Sequence, residues 1–104
     1  MPRLMMDLTL DRLAHIVARL HHANARARIV ILGLYDPYAS KALATYVSIW
    51  DGKLLTRFAA DRRVTVVRIA DLFAARRDRL SAVDRFHPGA AGYVLIARRI
   101  AEGF

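Results

Sequence analysis

The residues in this chain best suited to chemistry lie in the stretch Asp84 to Gly92, DRFHPGAAG. Asp84 and His87 are three apart, a spacing that brings two side chains to one side of a turn. A carboxylate there can accept a hydrogen bond from imidazole Nδ1, which fixes the tautomer and leaves Nε2 to take a proton. Pro88 disfavours the helical region for His87 and suits the first position of a helix. His87 is therefore expected in extended backbone at a helix start, its ring pointing out over the edge of a sheet. The helix N-terminus disfavours an imidazolium and Asp84 favours one. Arg85 should face solvent and Phe86 should pack onto the core. From these residues alone, a catalytic base with its orienter and a polar helix cap both remain open.

The elements that must position this pair follow from periodicity. Leu10, Leu13, Ile16, Val17 and Leu20 recur at helical spacing and predict a helix from Asp7 to about Ala25, with Asp7 or Thr9 as N-cap. Ile29 to Leu34 is continuously apolar and rich in β-branched residues, as a strand covered on both faces must be. Tyr35-Asp36-Pro37-Tyr38 ends it in a turn. A second helix is predicted from Ser40 to about Ala60, striped by Leu43, Val47, Trp50, Leu54 and Phe58; Gly52 costs roughly 1 kcal/mol relative to alanine inside it, which leaves a break near Asp51-Gly52 open as an alternative. Val64 to Ile69 reads as a second strand. A helical piece around Leu72 to Arg79 follows, and a last helix runs from Pro88 to about Glu102.

The order α-β-α-β-α predicts an α/β fold whose two strands are parallel and joined by a right-handed crossover. Ligands in open α/β sheets sit at the C-terminal ends of the strands, so Tyr35 to Tyr38 and Asp71 to His87 should share a functional edge. Two strands are marginal alone, and the first should have neighbours on both sides. An exposed strand edge predicts self-association, for instance as a homodimer.

Composition limits the classes of function. One small domain is the most that 104 residues can form, and 56% hydrophobic with 25% charged residues excludes a disordered segment. Arginines interrupt every apolar run, so no membrane span is expected, and no signal peptide is seen, which leaves a cytoplasmic location as the default. The absence of cysteine excludes thiolate metal sites and cysteine nucleophiles. The formal charge is +8, yet fifteen of seventeen basic residues are arginine and eight of nine acidic ones aspartate, a bias of base composition. With no basic block and no interleaved aromatics, nucleic acid is not the expected partner. His15, His21 and His22 lack carboxylates at ligand spacing, so no metal site is expected.

The segment ADLFAARRDRLSAVDRFHPGAAGYVLIARRIAEGF resembles the last block of the SGNH or GDSL-type acyl hydrolases, where D-x-x-H-P-N-x-x-G-Y precedes a terminal helix. ILGLYDPY is similar to the fourth strand and following loop of bacterial members, and Trp50-Asp51 resembles the W-N of the next helix. The likeness runs from about Ala14 to Phe104. It implies a flavodoxin-like three-layer α/β/α sandwich with a parallel sheet of about five strands, of which this chain is the C-terminal α-β-α-β-α portion, a single partial domain over residues 1–104. It further implies ester hydrolysis without a cofactor, with His87 as base, Asp84 as orienter and a serine nucleophile on a small-molecule ester. The chain departs from the family in lacking the G-D-S nucleophile motif and the oxyanion-hole motifs. Ser40 lies on the correct sheet edge but is more simply an N-cap, while Ser48 falls within a helix and Ser81 is close in sequence to the dyad. Tyr35 and Asp36 are candidate substrate-binding residues, Asp36 standing where the family commonly has asparagine. Without the missing donors the chain is expected to be inactive alone, and a non-catalytic module that self-associates or binds a partner is the alternative.

Overall fold

Alternation along two short strands determines how the chain layers. The computed structural model describes residues 3–103. Strand β1 (Ile29–Leu32) pairs in parallel with β2 (Val64–Val67), in the register Ile29 to Val64 through Leu32 to Val67. Helices α1 (Arg3–Ala23) and α2 (Lys41–Phe58) cover one sheet face. There Met6, Leu10, Val17, Trp50, Leu54 and Phe58 pack with Val64, Ile29, Ile31 and Val66. The other face holds Val30 and Val67 against Ile69, Leu72, Phe73, Leu80 and Ile96. Leu72 and Phe73 lie in α3 (Ala70–Phe73), which Ile69 precedes; Leu80 follows the 3-10 turn Arg77–Arg79, and Ile96 lies in α4 (Ala90–Glu102). Successive strand residues point to opposite faces, so each strand serves two cores at once. The result is a small α/β fold with helices on both sides of a two-stranded parallel sheet.

Several boundaries differ from the sequence reading for identifiable reasons. Helix α1 begins ahead of Asp7, because Met6 and Leu10 are buried against α2 and extend the apolar stripe toward the N-terminus; Asp7 and Thr9 lie inside the helix rather than at its cap. Helix α2 runs unbroken through Asp51-Gly52. Asp51 is fully buried and bonded to the backbone beyond β1, and a Cβ on Gly52 would meet nothing within 4 Å, so neither residue imposes a kink. Helix α4 starts at Ala90 with Gly89 as N-cap. Pro88 instead forms an isolated antiparallel bridge with Leu80, which places His87 three residues ahead of the helix rather than at its opening.

Among the described residues β1 has a neighbour on one side only. Leu32 and Leu34 are 39% and 45% exposed, and the outward face of α1 carries Leu4, Met5, Leu8, Ile16 and Leu20, all half or more exposed or nearly so. No helix among the described residues is long and apolar enough to cross a membrane.

Candidate functional site

The DRFHP loop is closed at its base before it does anything else. The Ser81 backbone N–H donates to the His87 carbonyl at 2.8 Å, the Arg85 N–H to the Ser81 carbonyl at 2.8 Å, and the Gly89 N–H to the Arg79 carbonyl at 2.9 Å. Arg85 takes a left-handed backbone with φ 52°, an uncommon state for a residue with a Cβ. That reversal directs two consecutive N–H groups onto one carboxylate oxygen: Asp84 Oδ1 accepts from Phe86 N at 2.9 Å and from His87 N at 3.1 Å. The other oxygen, Oδ2, lies 2.6 Å from His87 Nδ1. A carboxylate holding three donors is strongly favoured in its ionised form, and the His87 ring, followed by the Phe86 amide, holds Asp84 at about 2. An ionised Oδ2 at that distance requires a proton on Nδ1, which leaves Nε2 as the ring's acceptor.

Aromatic residues from the end of β1 secure the loop. The Tyr35 hydroxyl donates to the Phe86 carbonyl at 2.6 Å, and its ring stacks on Phe73 with centroids 4.4 Å apart. Burial, then the neighbouring Tyr93 and Asp84, raises the Tyr35 phenol above its ordinary value, so it stays a donor. Phe86 does not enter the core as expected. It is 43% exposed and sits between Tyr38, at 5.9 Å, and the His87 ring, at 5.1 Å, because the reversed Arg85 turns it outward. The His87 and Asp84 side chains remain 66% and 42% exposed. The dyad therefore lies over the C-terminal end of β1, where the parallel topology places ligands.

The other expected residues are placed differently. Ser40 is the N-cap of α2, its Oγ accepting from Leu43 N at 3.3 Å. Asp36 braces the same turn, accepting from Tyr38 N at 2.8 Å and Ser40 N at 2.6 Å. Ser81 Oγ accepts from Val83 N. Among the described residues no serine hydroxyl is bonded to the His87 ring. Tyr35 supports the loop. Asp71 lies in the first turn of α3 and is gripped by both guanidinium nitrogens of Arg99, whose charge and hydrogen bonds hold it below the usual carboxylate range. Among the described residues no group of three or more histidines, cysteines, aspartates or glutamates is arranged to hold a metal ion.

A hollow also opens away from the dyad. A cleft of about 320 Å³ runs between the first half of α2, the end of β2 and α3; its polar lining is Asp36, Ser40, Lys41, Ser48, Asp51, Arg68 and Asp71, and the rest is small apolar residues. Asp51 forms part of its base. Its Oδ1 accepts from Leu34 N at 3.1 Å, while Oδ2 lies 3.7 Å from Arg68 Nε and has no hydrogen-bond partner among the described residues. Burial pushes the Asp51 carboxyl up, with the Leu34 amide and Arg68 offsetting part of the rise. Gly33 is required here, since a Cβ would stand 2.5 Å from Asp51 Oδ1. Sequence reasoning passed over Asp51 as a possible break, yet its position four after Val47 and three before Leu54 put it on the buried stripe of α2.

No family model matches the chain. It is similar to the uncharacterized protein YpmR of Bacillus subtilis (strain 168), 28% identical over 98 residues, covering 88% of this chain and 38% of that protein. The chain thus spans well under half the length of the curated relative it matches.

Proposed function

We propose that this chain is the C-terminal part of an SGNH or GDSL-type ester hydrolase, in which His87 is the general base and Asp84 its orienter. The observation that supports the reading is the Asp84 carboxylate, which holds His87 Nδ1 at 2.6 Å while two backbone amides fix its other oxygen. In an acyl transfer, Nε2 of such a histidine takes the proton of an attacking serine and returns it to the leaving alcohol, and the carboxylate stabilises the imidazolium between those steps. The serine and the oxyanion donors belong, on this reading, to residues outside this chain. They would come with further parallel strands beside β1, completing a flavodoxin-like α/β/α sandwich. Oxyanion donors are each worth roughly a hundredfold or more in rate, so the isolated chain should not hydrolyse p-nitrophenyl acetate faster than free imidazole does. The test is to read the gene ahead of Met1 for an in-frame segment carrying a G-D-S motif and to assay the extended chain. Saturable hydrolysis that His87→Ala abolishes is expected. Absence of such a segment, or full activity in His87→Ala, would overturn the reading.

A second reading has its own support: the open edge of β1 and the exposed apolar face of α1 suit a non-catalytic module that self-associates through its sheet. Light scattering of the isolated chain should then report a dimer or larger, and a stable monomer at high concentration excludes it.

A further inference from the structure

We infer that the cleft between α2 and α3 is a binding site for a small neutral amphiphile, a molecule carrying an alcohol or primary amide on a short apolar body. This site is separate from the His87 dyad, since neither His87 nor Asp84 lines it. The first support is an unpartnered acceptor. Asp51 is fully buried, and among the described residues its Oδ2 has no hydrogen-bond donor although Oδ1 is satisfied by Leu34 N. A buried oxygen left without a donor is destabilising, and native structures rarely leave one that way without a reason. The other two carboxylates in the lining are engaged, Asp36 by backbone amides and Asp71 by Arg99. Asp51 Oδ2 is thus the acceptor in the lining left for a ligand donor, and because it is closed to solvent a ligand must part the side chains over it to reach it.

The second support is the spacing to Arg68. Its Nε stands 3.7 Å from Asp51 Oδ2, beyond hydrogen-bond reach. One polar group of a ligand can lie within bonding distance of both, donating to Oδ2 and accepting from Nε. A hydroxyl or a primary amide has both functions. A carboxylate has no proton for Oδ2 and is repelled by it, even though Lys41 also lines the cleft; an ammonium can donate to Oδ2 but cannot accept from Arg68 and is repelled by the guanidinium. The third support is the wall: Ala39, Ala44, Val47, Ala70, Ala74 and Ala75 give short apolar side chains, and the volume of about 320 Å³ is at the low end for small-molecule sites.

The test is an NMR titration of the full 104-residue chain with hexanamide, n-hexanol, hexanoate and hexylammonium. Hexanamide and n-hexanol should move the amide resonances of Leu34, Ser48 and Ala74 and bind at least about tenfold more tightly than the two charged probes. Ala44→Phe, at an exposed position on the rim, should fill the cleft and weaken hexanamide by about tenfold or more; Ala74→Phe fills it from the opposite wall and serves if the first variant does not fold. Three results would each overturn the inference: no probe moves these resonances, all four probes bind alike, or a folded cleft-filling variant binds hexanamide as tightly as the unsubstituted chain.

Discussion

Two glycines, both inside helices, should respond to the same substitution with opposite sign. Alanine favours a helix interior over glycine by about 1 kcal/mol. At Gly52 a Cβ meets nothing within 4 Å, so Gly52→Ala should keep that gain and stabilise by about 0.5–1 kcal/mol. At Gly92 a Cβ would stand 2.5 Å from the Arg79 carbonyl oxygen and 2.9 Å from Phe73 Cε1. The carbonyl is backbone and also receives the Gly89 N–H, so it cannot retreat without disturbing the start of α4. Overpacking of that kind costs about 1–3 kcal/mol, and a weakened hydrogen bond about 1 more. Set against the propensity gain, Gly92→Ala should destabilise by about 1–3 kcal/mol. For a chain of this size each kcal/mol moves Tm by about 4–8 °C, so Tm should fall by at least about 4 °C. Thermal and urea unfolding followed by circular dichroism would measure both variants. A Gly92→Ala protein as stable as the unsubstituted one would refute the close approach of α4 to Arg79. The change should also reach the candidate site, because Phe73 stacks on Tyr35 and Tyr35 bonds the Phe86 carbonyl.

The remaining predictions concern the dyad. Asp84→Asn keeps an oxygen for the Phe86 and His87 amides but puts an N–H₂ where Oδ2 was, so His87 should change from the Nδ1–H to the Nε2–H tautomer. Long-range nitrogen-proton NMR of the ring reads this directly, and an unchanged tautomer would show that Asp84 does not orient His87. The pH response should have two signs. Asp84 is depressed to about 2, so its contribution is present above the ordinary carboxylate range and lost as pH falls through about 2; the Phe86 and His87 amide resonances should move together there. Asp51 is raised by burial, so its contribution is full below the ordinary range and is lost as pH rises through its folded value. Asp51→Asn should therefore flatten the high-pH side of the stability profile, and an unchanged profile would mean that Asp51 is not the cause.

How much was legible in advance depended on whether the deciding contacts were local. The i to i+3 spacing of Asp84 and His87 makes their pairing a short-range event, and it formed as the sequence indicated. The strands read at 29–34 and 64–69 formed over 29–32 and 64–67, and they, the helical stripe of α2 and its Ser40 cap were read in the same way, since period and capping are properties of neighbouring residues. The start of α4 was misread because Pro88 is well suited to a first helical position, and the long-range bridge to Leu80 won. Phe86 was assigned to the core by its type, whereas the left-handed Arg85 sent it to the surface beside Tyr38.

By itself, then, the sequence determined an α/β chain, two parallel strands and an acid-imidazole pair, because those depend on periodicity and on spacings of a few residues. Tertiary structure decided what no window of sequence contains. Tyr35 supports the loop across 51 residues of chain, and Asp51 is drawn beneath Gly33 and set opposite Arg68. The α2–α3 cleft exists only where residues 36–51 and 68–75, two separate stretches of chain, meet. The physical reason is common to all three: burial and hydrogen-bond satisfaction are settled among groups distant in the chain, and only the packed fold brings them together.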